Sequence, residues 1–183
     1  MGTLISIVVL AALVIVVAAL VAGRSRKRRS EELREQFGPE YERTIALAGS
    51  PRAAERDLTE RASRHDGLDL HPLSEDTRID YLEHWREAQA LFVDDPAQAI
   101  DEADVLIRRV MRDRGYGDGD FGQRVGDVSV DYPEAVERYR AAHDVAIRAR
   151  VGDASTEELR EALTNYRGLF DELVTKSAPY EVR

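Results

Sequence analysis

Nineteen residues from Leu4 to Ala22, LISIVVLAALVIVVAALVA, run without a charge and with Ser6 as the one polar side chain. As a helix rising about 1.5 Å per residue, such a run matches a hydrocarbon core roughly 30 Å thick. A core helix of a small water-exposed domain would carry a polar face, and this run has none. The pattern therefore predicts a transmembrane anchor over residues 1–23.

Beyond it the hydrophobic positions take up helical spacing, and no alternating apolar and polar run is long enough for a strand. The anchor is expected to continue as helix through SEELREQF to Phe37. Gly38-Pro39 restarts a short helix with Phe37, Tyr41, Ile45 and Ala48 on one side, and Ser50-Pro51 opens a polar helix to about Arg64. Large apolar residues are sparse over 30–70, which reads as a helical stalk or bundle periphery. Residues 71–175 read as the core of the bundle, and 176–183 as a tail.

Within that core region, Ile79, Leu82, Trp85, Ala88 and Phe92 recur at helical spacing. Asp95-Pro96-Ala97-Gln98 then forms a capping-box start with proline at the first helical position. The central helix follows, with Ala99, Ile100, Ala103, Leu106, Ile107, Val110 and Met111 on a wide apolar face. A third helix after Pro133 places Val136, Tyr139, His143, Ala146 and Ile147 together. The fourth starts at a second capping box, Ser155 to Glu158, and carries Leu159, Ala162, Leu163, Tyr166, Leu169, Phe170 and Leu173. Helices of this length joined by short loops pack as antiparallel neighbours. The expected fold class is all-α: a single N-terminal transmembrane helix followed by an antiparallel α-helical bundle.

Charge adds a direction. Arg24, Arg26, Lys27, Arg28 and Arg29 follow the apolar run at once, and no charged side chain precedes it. A secretory signal carries its basic residues first, so cleavage near Ala22-Gly23 is the weaker reading, and an anchor inserted the other way round is weaker still. The positive-inside rule keeps the basic collar, 24–29, and everything after it in the cytoplasm. Of the 26 Lys and Arg, five lie in that collar, so 21 basic side chains face all 35 acidic ones in the remainder. An acidic domain of this kind disfavours DNA, RNA and anionic lipid and favours a basic protein partner. The collar, in contrast, can hold lipid headgroups, or act as a topology signal alone. The chain has no cysteine, which removes disulfides and thiolate chemistry.

Candidate chemistry is thin. Gly117-x-Gly119-x-x-Gly122 has the spacing of a dinucleotide-binding loop, but it follows a helix where that loop needs a strand, and Asp118 and Asp120 would repel a diphosphate. No Gly-Lys-Ser or Gly-Lys-Thr exists for a P-loop, and the aspartates lack the further ligands of a calcium loop. Gly115 is expected to end the central helix, Gly117 and Gly119 to turn the chain, and Asp120 to cap a short helix, FGQRVGDV. Of the four histidines, His65, His71, His84 and His143, only His143 lies on an apolar face, where hydrogen bonding to a carboxylate accounts for it. Asp94, Asp95, Asp101, Glu102 and Asp104 resemble a carboxylate cluster, but they fall mostly in the first turns of a helix, where the dipole favours negative charge; a metal or acid/base role is the weaker reading. Trp85 and Phe92 read as core, the alternative being an exposed anchor for a partner. No cofactor, metal site or catalytic residue is expected.

The stretch from Phe92-Val93-Asp94-Asp95-Pro96 through DVSVDYPEAVERYRAAHDVA, with the closing STEELREALTNYRGLFDEL, resembles a family of small actinobacterial membrane-anchored helical proteins. The likeness covers the anchor and most of 31–175. It implies no activity and supplies no catalytic residues. Members of that family often carry Pro, Val and Glu where this chain has Gly117, Asp118 and Gly122, which makes the glycine spacing incidental. The expected function is a non-enzymatic interaction or scaffold protein at the cytoplasmic face of the cell membrane. Its partner would be an unidentified, basic protein or a second copy of the chain, with Trp85, Phe92, Asp94 and Asp95 as candidate contact residues. The alternative is an enzyme with a polar pocket around His143 and the tyrosines.

Overall fold

Proline at the first helical position opens the helices that start at Pro39, Pro51, Pro96 and Pro133, and a side-chain cap stands just before Pro51 and Pro96. Our computed structural model describes residues 2–175, though the side chains of residue 26 and of most residues from 2 to 22 lie outside that description. Eight helices and no strand occur among the described residues: α1 (Gly2–Phe37), α2 (Pro39–Ala48), α3 (Pro51–His65), α4 (Glu75–Leu91), α5 (Pro96–Asp113), α6 (Phe121–Val128), α7 (Pro133–Ala149) and α8 (Thr156–Thr175). Ser50, Ser74, Asp95 and Asp120 each accept a hydrogen bond from the backbone N–H three residues on. These satisfy donors that a helix start leaves unpaired.

The two expected capping boxes differ. At Ser155 the box is complete: Glu158 N–H donates to Ser155 Oγ, and the Glu158 carboxylate accepts from the Ser155 backbone at 2.8 Å and from its hydroxyl at 2.7 Å. Those bonds, with one from Arg148, bring the Glu158 carboxyl down to about 2. At Asp95 only half forms, because the Asp95 N–H is already taken by the Leu91 carbonyl at 2.9 Å.

The main core is an all-α bundle of α4, α5, α7 and α8 with α6 at one end. α4 and α5 form an antiparallel hairpin, with Tyr81 Oη donating to Asp113 at 2.6 Å. α7 and α8 form a second, with Arg148 opposite Glu158 at one end and Tyr139 against Tyr166 further along. α5 and α8 run parallel, since Asp104 meets Tyr166 and Arg114 meets the Leu173 carbonyl. The face predicted for α5 is buried over its whole length. Two predicted core residues face solvent instead. Ile79 is 44% exposed and Ile147 50%. Ile79 lies two residues before Tyr81 and nine before Ala88, which puts it nearly half a turn from the Tyr81, Trp85, Ala88 stripe that α4 buries. Ile147 follows the buried Ala146 and is carried about 100° round to solvent.

The segment expected as stalk or periphery carries a small core of its own. Leu33 and Phe37 of α1, Tyr41 of α2 and Leu58 of α3 are buried together, with Ile45, Ala62 and Val130 packed against them. Polar contacts join this layer to the bundle. Glu40 is buried between Arg61 of α3 at 2.9 Å and Arg140 of α7. His65 reaches Asp131 at 2.7 Å, and Tyr116 donates to the same carboxylate.

Among the described residues no helix is long and apolar enough to cross a membrane. The run Leu4–Ala22, expected to do so, is helical backbone within α1, and most of its side chains lie outside the description, as does the expected tail over 176–183.

Candidate functional site

α1 passes without a break from the apolar run through the basic collar and into the small core, so collar and core share one rod. Arg24 and Arg28 are exposed, Lys27 lies 3.8 Å from Glu31, and Arg29 donates to Thr59 Oγ1 of α3 at 3.0 Å. The Arg26 side chain lies outside the described residues.

Of the other candidate contact residues, Phe92, Asp94 and Asp95 sit at the opposite end of α7, around the α4–α5 turn, and Trp85 lies further back along α4. Trp85 is fully enclosed, stacked on Phe170 with ring centroids 4.6 Å apart, and the Arg167 guanidinium lies 5.5 Å over its ring. A partner cannot reach it without unpacking α8. Phe92 is half-buried at the end of α4 beneath Arg160. Asp95 is committed to its cap, Asp94 is exposed, and Val93 between Phe92 and Asp94 is 84% exposed. The α7–α8 turn, with Val151 also exposed, lies at this same end, tied by Arg150 to Asp101 at 2.9 Å.

Asp104 does not belong with the first-turn acids. It lies in the third turn of α5, in line with Ile100, Ala103 and Ile107, and is 1% exposed. Its Oδ1 accepts from Tyr166 at 3.1 Å and faces His143 Nδ1 at 3.3 Å, while Arg108 Nε lies 3.3 Å from Oδ2. His143 in turn stacks on Phe121 at 3.8 Å, nearly parallel. Burial would push the Asp104 carboxyl up. The His143 hydrogen bond, the Arg108 charge and the Tyr166 hydroxyl outweigh that, and it ends below the usual carboxylate range. Burial is also the main cause of the raised Tyr139 and Tyr166 phenols. The sequence signal for this network was a carboxylate standing within an apolar stripe. The arrangement ties α5, α7 and α8 together at one point. Clefts open elsewhere: one of about 400 Å³ between α4 and α5, lined by His84, Glu87, Leu91, Glu102 and Arg109, and one of about 570 Å³ between α1 and α3.

The glycine stretch is a connector. Asp118 is paired with Arg112 at 2.8 Å and Asp120 caps α6. Gly115 has φ +94° and an added Cβ would lie 2.1 Å from the Asp69 carbonyl oxygen, whereas at Gly117 the nearest atom would be 3.8 Å away. Gly115→Ala is therefore expected to destabilise the fold by about 1–3 kcal/mol through backbone strain, and Gly117→Ala by less than about 0.5 kcal/mol, as read from denaturation midpoints. A large loss at Gly117 would show that the loop has a further constraint. Among the described residues no group of three or more His, Asp or Glu could hold a metal ion. No family model matches the chain, and no curated protein or solved structure matches it.

Proposed function

We propose that the chain is a single-pass membrane protein whose acidic helical bundle stands on the cytoplasmic face and serves as a non-enzymatic interaction or scaffold module. The observation that carries the reading is on α1. Leu13, Val17, Leu20 and Val21 are 59%, 51%, 57% and 62% exposed, four large apolar side chains on an uncharged stretch of helix. Left in water they would forfeit about 25 cal/mol per Å² of apolar surface, which a bilayer restores. The unbroken helix supports a rigid junction, since Leu33 and Phe37 bury its far end in the domain. A basic collar beside the run and an acidic remainder support the orientation and a basic partner. The Phe92-Val93-Asp94 turn and Val151, at the end of α7 away from Glu40, form the face best placed to meet that partner. The likeness to small actinobacterial membrane-anchored proteins fits the same arrangement.

The test has two arms. The chain has no cysteine, so Asp153→Cys, at an exposed turn, reports the side of the membrane alone. A membrane-impermeant thiol reagent is expected to leave it unlabelled in intact cells and to label it after lysis; labelling of intact cells overturns the orientation. Proteins captured by the full chain are expected to carry basic surfaces and to detach as salt shortens the Debye length from about 10 Å at 0.1 M to about 3 Å at 1 M. A principal partner that stays bound at 1 M would overturn electrostatic recruitment.

A further inference from the structure

Many arginines of this acidic chain sit within reach of a carboxylate; of those that do not, Arg86, Arg109 and Arg138 are spread over the bundle, and four lie on α1 and α3. Arg24, Arg28, Arg52 and Arg56 have no ion-pair or hydrogen-bond partner among the described residues, and all four are exposed. Folding brings Arg52 and Arg56 to the collar. α3 packs beside α1, with Arg29 donating to Thr59 at 3.0 Å and Ser30 to Glu55. Arg52 and Arg56 are thereby carried beside Ser25 and Arg29, and these residues line the cleft of about 570 Å³. Of its two carboxylates, Glu55 already accepts from the Ser30 and Tyr41 hydroxyls, and Glu60 is exposed to solvent.

The height of the cleft is set by α1. Ser25 lies three residues past Ala22 and Arg29 seven, which at 1.5 Å per residue is about 5–10 Å beyond the apolar run. The headgroup layer of a bilayer occupies roughly the first 5–8 Å beyond the hydrocarbon. A guanidinium matches a phosphate in two-pronged hydrogen bonds, and three of them face one opening here.

We propose that this cleft is a headgroup site for an anionic phospholipid, with Arg29, Arg52 and Arg56 holding the phosphate while the acyl chains lie along α1; the inference rests on the anchor reading above. The collar was visible in the sequence, but Arg52 and Arg56 join it only through the docking of α3. The site is a lipid site because its mouth lies level with the headgroups.

The experiment titrates phosphatidylglycerol into the detergent-solubilised full chain and reads occupancy by native mass spectrometry. Arg52→Gln with Arg56→Gln is expected to weaken binding about 30-fold, from about 1 kcal/mol for each basic residue near an anionic surface. The charge-matched pair Arg86→Gln with Arg138→Gln, exposed on α4 and α7, is expected to leave it unchanged. Equal losses from both pairs would overturn the site in favour of net charge. Competition by soluble glycerol phosphate as effective as by the lipid would overturn the lipid assignment. Flotation with phosphatidylcholine vesicles separates the two readings: a chain that fails to float overturns anchor and site together, while one that floats yet keeps its phosphatidylglycerol affinity without Arg52 and Arg56 overturns the site alone.

Discussion

Asp104→Ala is expected to destabilise the bundle by about 3–5 kcal/mol, the usual cost of removing one partner from a buried charged network. The carboxylate is almost fully enclosed, and its removal strands groups on three helices: the Tyr166 hydroxyl on α8, His143 on α7 and Arg108 on α5. The cavity left behind adds to the loss, because Ile100, Ala103 and Ile107 around it are fully buried and cannot all close in. Asp104→Asn, which keeps the shape and an acceptor, is expected to lose less. The two variants also separate by pH. The folded carboxyl lies below its ordinary value, so its contribution is present above the unfolded value of about 3.9 and disappears as pH falls through the folded one. Wild type therefore loses this contribution on acidification below about pH 4, and Asp104→Asn has none to lose. Denaturant midpoints of the full chain in micelles at neutral and acid pH make the comparison. A loss under about 1 kcal/mol for Asp104→Ala would mean that the network is dispensable and that water takes over its bonds.

The same residue shows where sequence reading reached its limit. Helix positions were legible, since prolines at 39, 51, 96 and 133 and caps at Ser50, Asp95, Asp120 and Ser155 act within a few residues. The wide face of α5 was legible for the same reason: it repeats along one element. Asp104 was assigned to the dipole because it followed other acids in the chain, whereas its role depends on His143 and Tyr166, which only packing brings near. Ile79 failed more simply. The four residues grouped with it do face the bundle, but a run of apolar residues at spacings of three drifts around the helix, and Tyr81 occupied the place it was given. The basic collar was plain in the sequence, yet its completion by Arg52 and Arg56 was not, because it depends on how α3 lies on α1.

Glu40→Ala is expected to cost about 3 kcal/mol and to act on one layer of the molecule. Glu40 is buried and joins α2 to Arg61 of α3 and to Arg140 of α7, so it holds the α1–α3 layer both to itself and to the bundle. The loss falls at the low end of the range for breaking a buried pair because neither arginine is left alone. Arg61 keeps Asp57 at 2.5 Å, and Arg140 has Glu137 at 3.7 Å. What remains between the layers then includes the ion pairs of Arg43 with Glu137 at 3.2 Å and of Arg64 with Asp127 at 3.7 Å, and the hydrogen bond of His65 to Asp131. That bond raises the His65 pKa, against burial and with help from the charges of Asp131, Asp66 and Asp127. A raised histidine contributes fully below its unfolded value of about 6.5 and loses its contribution as pH rises through the folded one. The variant's layer is therefore expected to open more readily at pH 8 than at pH 6. Hydrogen exchange on the full chain reads this directly: amides of α2 and α3 should lose protection in Glu40→Ala, more so at the higher pH, while those of α5 and α8 keep theirs. Uniform loss over all helices would mean that the layer and the bundle open as one unit, and a collar held by α1 would then be coupled to every helix of the domain rather than to the layer it touches.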